Sequence, residues 1–430
     1  MPYSLPIDIH PDVTSYIRTT LVETEHYVQA AMPRFTKELR TICDIASASD
    51  NTAGLNTMAD YLEKRLAALG FTTEIIAHER GNAVIGALTG SNPAARPLLL
   101  LAHHDTVYGE GVTAPPNTIV GSHFFGPGVA DMKGGVLQAL YTLEALREYH
   151  HTNFSRILFL SVPDEEIDNR YHTGLLETLC RTYHPFVLTL ESARTLGNVV
   201  VQRKGVQRYT IIAKGIAAHA GAEFHSGKSA VLELAHQMVQ FCSLPNLPDG
   251  VTVNIGPFRG GTMPNVVADY AEATIEVRFL TKEHLAYVVN RWEACLGKQL
   301  VEGVSLSMTP VSGGIPPMEL SAHSQMVADH FGKIAELLGH EYYAEVRGGS
   351  SDGGNANAHG TDALDGFGAV GHQGHSPEEY IDLAAVPHRA AILAATIMSI
   401  ADLPLAHAAD APAKQAVLHA DKSIVAVLPG

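Results

Sequence analysis

Pro97-Leu98-Leu99-Leu100-Leu101-Ala102-His103-His104-Asp105-Thr106-Val107 is the stretch on which the reading of this chain turns. An apolar run broken abruptly by His-His-Asp has the pattern of a buried parallel strand that delivers polar groups at its C-terminal end. Open α/β sheets place their ligand chemistry beyond those ends. An imidazole two residues before a carboxylate suits a metal ligand whose second ring nitrogen is held by that carboxylate. A strand running into a polar turn accounts for the same letters equally well, so the rest of the chain must decide.

Two further apolar runs end in the same way. Residues 155–162 run into Pro163-Asp164-Glu165-Glu166, and residues 186–190 run into Glu191. Between them, a Gly/Pro-rich loop over 109–128 leads to Val129-Ala130-Asp131-Met132-Lys133-Gly134-Gly135. A helix is expected over 135–150, with Leu137, Leu140, Leu143 and Leu146 near one face. Upstream, residues 11–50 read as helical. Leu55, Met58, Leu62, Leu66 and Leu69 then recur at helical spacing, closed by Gly70. Residues 71–78 and 82–88 read as a hairpin-like pair of strands.

From about residue 204 the texture changes. Segments 207–213, 251–255 and 271–279 alternate apolar and polar residues, as antiparallel strands with one solvated face do, with helices over 229–241 and 282–296. At about residue 317 the α/β texture returns. A helix over 325–338, a strand over 342–346, a glycine-rich region over 347–374 and a final helix over 384–400 follow, with a peripheral tail beyond 404. The expected fold is therefore α/β: a mixed-sheet domain over 1–203 and 317–430, with helices on both sheet faces, interrupted by an α+β domain over 204–316.

Composition narrows the function. With 46% hydrophobic and 17% charged residues, the 430-residue chain reads as an ordinary globular protein long enough for two domains. A net charge of −16 argues against nucleic acid or an anionic membrane as partner. The first 30 residues mix Asp, Glu, Arg and Pro with apolar side chains and lack the apolar core of a secretory leader. Cys43, Cys180, Cys242 and Cys295 are scattered, as expected of free thiols in a cytoplasmic protein.

The polar groups at the strand ends form a hydrolytic metal inventory. Such a site needs nitrogen and oxygen ligands, an open position for water and a nearby base. Two metals about 3.5–4 Å apart need a shared carboxylate plus one His and one carboxylate each. The inventory fits if Asp131 bridges and His103, Glu166, Glu191 and a late His complete the sites; the sequence leaves open which ligands share a metal. His375 is separated from its competitors His359 and His372 by its spacing to Glu379-Tyr380. At a strand-to-helix turn, one of Glu165 and Glu166 can bind metal while its neighbour faces water, and packing two carboxylates together raises one pKa, as a general base requires.

His103–Val107, Gly128–Gly135, Asp164-Glu165-Glu166, Leu190-Glu191, Ala218-His219-Ala220-Gly221 and His375–Tyr380 together resemble the di-zinc exopeptidase and deacylase family, in order over about residues 40–400. Glutamate carboxypeptidase, aminoacylase, succinyl-diaminopimelate desuccinylase and acetylornithine deacetylase belong to that family. The resemblance implies two zinc ions, with cobalt or manganese as substitutes. It makes His103, Asp131, Glu166, Glu191 and His375 the ligands, with Asp131 bridging, and implies a non-proline cis peptide after Asp131. Glu165 becomes the general base and Asp105 the group that orients His103. His219 is implied as an oxyanion donor acting in its own or a partner subunit. Thr262–Val267 and Glu276-Val277-Arg278 resemble segments whose Asn and Arg, here Asn265 and Arg278, hold a substrate carboxylate. Gly348–Gly353 resembles the family's small-residue loop beside the ligand.

The domain over 204–316 is, on the same resemblance, a lid and a homodimerisation surface. The chain departs from many relatives at Phe224, His225 and Ser229, and at Ile167-Asp168-Asn169, positions that bear on the specificity pocket rather than the ligand set. The implied reaction is cleavage of an amide bond in an N-acyl amino acid or short peptide with a free carboxylate. An aminopeptidase or dipeptidase of the same family, and a metal-binding relative without turnover, are the alternatives.

Overall fold

The structure is a computed structural model that describes residues 11–169, 171–401 and 403. The tail expected beyond residue 404, and residues 1–10, lie outside the described residues. The chain divides into two compact units. The first runs up to Gln202 and resumes over Leu320–Val346 and from Ser351; the second comprises Arg203–Glu319 together with Arg347–Ser350.

In the first unit, α1 (Pro11–Cys43) precedes α2 (Thr52–Ala68). α2 buries Leu55, Met58, Leu62 and Leu66, the apolar stripe of a 3.6-residue period, and Asn51 caps it by accepting the Gly54 N–H at 3.2 Å. β1 (Thr72–Ile76) and β2 (Ala83–Thr89) pair antiparallel. After β3 (Leu98–His103), the Gly/Pro-rich loop proves to hold a small hairpin of β4 (Thr118–Val120) and β5 (His123–Phe125). α3 (Gly134–Glu148), β6 (Arg156–Val162), α4 (Thr173–Tyr183), β7 (Phe186–Thr189) and β8 (Asn198–Arg203) complete this run.

The second unit follows with β9 (Gly205–Lys214), α5 (Ala230–Cys242), β10 (Thr252–Gly260), β11 (Tyr270–Phe279), α6 (Lys282–Leu296) and β12 (Ser305–Pro310). The chain then returns through α7 (Ala322–Leu337), β13 (Tyr343–Arg347), α8 (Asp352–Ala358), β14 (Asp362–Leu364), β15 (Gly371–His372), β16 (Tyr380–Asp382) and α9 (Val386–Ile400).

The main sheet of the first unit has the order β1-β2-β6-β3-β7-β14. β3 runs parallel to both β6 and β7, whereas β2 joins β6 antiparallel, so the architecture is mixed α/β. Every residue of β3 is buried, which explains its unbroken apolar sequence. Its register sets His103 opposite Val162 and Leu101 opposite Thr189. β3 and β6 therefore finish level and β7 stops two residues short of them, and the polar residues that follow all three emerge at one sheet edge.

α3 differs from the expected one-faced helix. Its residues from Gly134 to Leu143 are all buried, because α1 and α9 both pack on it. Its start also approaches the end of β7 so closely that a Cβ on Gly135 would lie 2.2 Å from the Leu190 carbonyl oxygen. Only glycine permits that approach.

The second unit has a four-stranded antiparallel sheet in the order β10-β11-β9-β12. β11 buries Ala271, Ala273, Ile275, Val277 and Phe279 in alternation. These pack in one core with α5 and α6, where Trp292 stacks on Phe241 at 5.2 Å and donates its indole N–H to the Phe241 carbonyl. Among the described residues no helix is long and apolar enough to cross a membrane, and all four cysteines are free thiols.

Candidate metal centre

Five side chains meet at the edge of the main sheet. His103 ends β3; Asp131 lies in the short Val129–Lys133 turn before α3; Glu166 lies in the single 3-10 turn after β6; Glu191 follows β7; His375 precedes β16. His103, Asp131 and Glu166 place one ligand atom each within 4.8 Å of one another. Asp131 stands between two imidazoles: its Oδ1 is 3.0 Å from His103 Nε2 and its Oδ2 3.1 Å from His375 Nε2. His103 Nε2 also faces Glu191 Oε1 at 3.6 Å, and His375 Nε2 faces Glu166 Oε2 at 3.0 Å. The donors thus sort into two sets, His103 with Glu191 and His375 with Glu166, sharing the Asp131 carboxylate.

Neighbouring groups fix these side chains. Asp105 Oδ1 lies 3.2 Å from His103 Nδ1 and accepts the Glu165 N–H, while Oδ2 accepts the Glu166 N–H and the Ser49 hydroxyl. One buried carboxylate therefore aligns the His103 ring and the Glu165-Glu166 turn together. Lys133 Nζ donates to the Ile42 and Ile45 carbonyls, tying the Asp131 segment to the end of α1. The turn itself opens at Gly128 with φ +68°, where a Cβ would lie 2.4 Å from Thr106 Cγ2. The peptide bond between Asp131 and Met132 is cis.

The electrostatics follow from crowding. Burial opposes charge on Asp131, but hydrogen bonds from both imidazoles outweigh it and hold its carboxyl well below the usual range. The bonds to Asp131 and Glu166 push His375 up to about 11. On His103, hydrogen bonds to Asp105 and Asp131 overcome burial and raise its pKa. Burial raises Glu165 well above the carboxylate range, with the charges of Asp352, Glu191 and Glu166 adding to it. Glu166 is raised by burial and by Asp131.

This donor set fits a pair of divalent metal ions. Two imidazole nitrogens and three carboxylates are borderline-to-hard ligands suited to zinc, cobalt or manganese. Glu166 also keeps a buried oxygen, Oε1, with no hydrogen-bond partner among the described residues, a costly arrangement that a cation would relieve. Glu166 and Ile167 line a cleft of about 440 Å³ with Ser49, Thr106, Arg80 and Tyr171, within the range of small-ligand pockets.

The chain's residues 99–399 match the model of peptidase family M20/M25/M40. The chain belongs to that family. This M20 chain is a hydrolase of the metallopeptidase class. It is 25% identical over 378 residues to carboxypeptidase G2 of Pseudomonas sp. (strain RS-16), covering 86% of this chain and 89% of the relative. Its fold is similar to that of aminopeptidase PepT from Bacillus cereus ATCC 10987, with TM-score 0.74, 22% identity, and coverage of 86% of this chain and 99% of the other. It is similar also to a dinuclear metal-binding peptidase of the M20 family from Bacillus subtilis, with TM-score 0.65, 16% identity, and coverage of 86% and 99%.

The remaining sequence candidates, His219, Asn265 and Arg278, lie in the second unit. His219 and Val266 form an isolated antiparallel bridge, and the Asn265 carbonyl accepts the Ala220 N–H at 2.9 Å, so His219 and Asn265 sit on paired segments. His219 Nδ1 accepts the Gly221 and Ala222 N–H groups at 3.1 Å each, which leaves the ring proton on Nε2 as an exposed donor. Arg278, on β11, donates Nε to Glu276 Oε1 at 2.8 Å and Nη1 to the Gly348 carbonyl at 3.0 Å.

His104 points elsewhere: it is buried against Ser161 Oγ at 2.8 Å, and burial lowers its pKa to about 3. Two buried carboxylates were given no chemical role from the sequence. Asp352, at the start of α8, is hydrogen-bonded to Asn355 and Asn169 and is pushed up to about 6 by burial. Glu379 accepts backbone N–H groups from the Asp131 segment. Burial raises it to about 7, with Asp131 adding to the shift against the Tyr108 hydrogen bond. The sequence signal for Asp352 was a charged residue within a glycine-rich stretch, and for Glu379 its spacing to His375.

Proposed function

We propose that this M20 chain is a di-zinc amidohydrolase of the carboxypeptidase type, releasing an amino acid with a free carboxylate from an N-acyl amino acid or short peptide. The observation that carries the reading is the Asp131 carboxylate held between His103 and His375, with Glu165 next to Glu166 on the turn that Asp105 orients. His103 and Glu191 would hold one zinc, His375 and Glu166 the other, and Asp131 both. When bound, the zinc pair supplies a Lewis acid and an acidified water.

The chain's own groups do the rest. Glu165, raised by burial, accepts the proton of the attacking water on its carboxylate and returns it to the leaving nitrogen. Asp105 keeps the His103 ring in place during that transfer. His219 donates from Nε2 to the developing oxyanion. Asn265 and the Arg278 guanidinium bind the carboxylate of the departing amino acid, the planar fork of Arg pairing with it bidentately. The second unit serves as lid and dimerisation surface, and the first as the catalytic domain.

The test is a hydrolysis screen on zinc-reconstituted protein across N-acyl amino acids and dipeptides, varying each side separately. Turnover that requires the free carboxylate and vanishes in Glu165→Ala supports the reading. Turnover that requires a free amine instead would make the chain a dipeptidase or an aminopeptidase, as its Bacillus cereus structural neighbour is named.

A further inference from the structure

The Asp131 segment and the His375 segment are far apart in sequence yet must hold their ligand atoms 3.1 Å apart. Gly128, Ala130 and Asp131 lie in a turn where Asp131 has φ −128° and ψ 87°, outside helical geometry. Their N–H groups therefore need acceptors from elsewhere. All three find the same one. Glu379 is fully buried; its Oε1 accepts the Ala130 N–H at 2.7 Å and the Asp131 N–H at 3.0 Å, and its Oε2 accepts the Gly128 N–H at 3.2 Å. The Tyr108 hydroxyl, 2.6 Å from Oε2, closes the set and also lies 2.9 Å from the Ser376 carbonyl.

Glu379 stands four residues after His375, and its own N–H donates to the Ser376 carbonyl at 3.1 Å, closing the turn that follows directly on the one from Gln373 to Ser376 that carries His375. The two segments also touch, since a Cβ on Gly374 would lie 3.5 Å from the Asp131 side chain.

We infer that Glu379 is a positioning residue that sets the Asp131–His375 separation, by clamping the backbone of the Asp131 segment to the turn that carries His375. A carboxylate does this where a neutral group does not. Charge-assisted bonds to N–H groups are stronger than neutral ones, and both oxygens are acceptors. The inference rests on the metal-centre reading above, because it concerns the ligands Asp131 and His375. An amide at this position fails in either orientation: its NH₂ must face the Ala130 and Asp131 donors or the Gly128 donor.

The experiment is a titration of metal-free protein with cobalt(II), followed by d–d absorption, at a temperature where far-UV circular dichroism shows each variant folded. Wild type is expected to bind two cobalt ions per chain. Glu379→Gln is expected to bind cobalt roughly 10–100-fold more weakly, with a changed spectrum at saturation, the size of effect seen when groups that orient metal ligands are removed. Leu143→Ala, which removes a buried α3 side chain away from both segments, is expected to leave affinity within twofold.

Equal affinity and an unchanged spectrum in Glu379→Gln would overturn the inference. So would an equal loss in Leu143→Ala, which would mark the effect as general destabilisation. Wild type that binds no cobalt would instead overturn the metal-centre reading. Should Glu379→Gln not fold, Tyr108→Phe takes its place: it keeps the carboxylate and removes one donor. A severalfold weaker cobalt affinity supports the clamp, and an unchanged one overturns it.

Discussion

β3 and β11 are each the inner strand of a sheet, and they carry polar chemistry in opposite ways. β3 is buried along its whole length and has no polar residue until His103 at its end. β11 alternates, burying Ala271 to Phe279 on one face and displaying Glu272, Thr274, Glu276 and Arg278 on the other. A strand buried on both faces admits polar groups only where it stops, so parallel neighbours that stop at the same edge deliver theirs to one place. A strand with a solvated face spreads its polar groups out, where each finds a local partner, as Arg208 and Arg278 both do on Glu276. The first arrangement forces charges into each other's fields and shifts their pKa values; the second leaves them largely screened.

Four substitutions probe that contrast, from the largest expected effect down. Glu165→Gln keeps the shape of the proposed base and removes its proton acceptor. It should lower kcat by ~10²–10⁴-fold while metal content stays as in wild type; a kcat within threefold of wild type would dissociate the crowded cluster from catalysis. Leu100→Ala, in the middle of β3, should cost about 2–5 kcal/mol of unfolding free energy by urea titration, as large-to-small core changes do.

Arg278→Ala should raise KM for a carboxylate-bearing substrate by ~10-fold or more, the loss expected for one charge-assisted pair of about 1.5–3 kcal/mol, with little change for the matching amide substrate. An equal rise for both substrates would break the assignment of Arg278 to the carboxylate. Thr274→Ala, on the solvated face of β11, should change stability by no more than about 0.5 kcal/mol. If it costs as much as Leu100→Ala, the contrast between the two strands does not hold.

The same contrast explains what could be read from the letters. Residues 98–102 and 157–160 are apolar without interruption and 186–190 are broken only by Thr189, so burial on both faces, and hence the sheet edge where His103, Glu165-Glu166 and Glu191 emerge, was visible in the sequence. The alternation of residues 271–279 disclosed the second sheet in the same way.

Other features had no such periodicity. α3 looks one-faced by its leucines, but its alanines, glycines and Thr142 are buried as well, because small residues let α1 and α9 close over it. β4 and β5 are three residues each, too short to mark an alternating pattern inside a Gly/Pro-rich loop. Glu379 works on backbone N–H groups about 250 residues away, a link that leaves no trace in side-chain spacing. Asp105 was legible because its target is two residues away.

The central claim is that Asp131 is shared by two metal ions. Metal stoichiometry by elemental analysis, on wild type and Asp131→Asn dialysed side by side against zinc-buffered solution, tests it most directly. The account predicts two zinc ions per wild-type chain, and at most one in Asp131→Asn, which cannot present two anionic oxygens. A wild-type chain that retains no more than one zinc, or an Asp131→Asn chain that retains two, would contradict it.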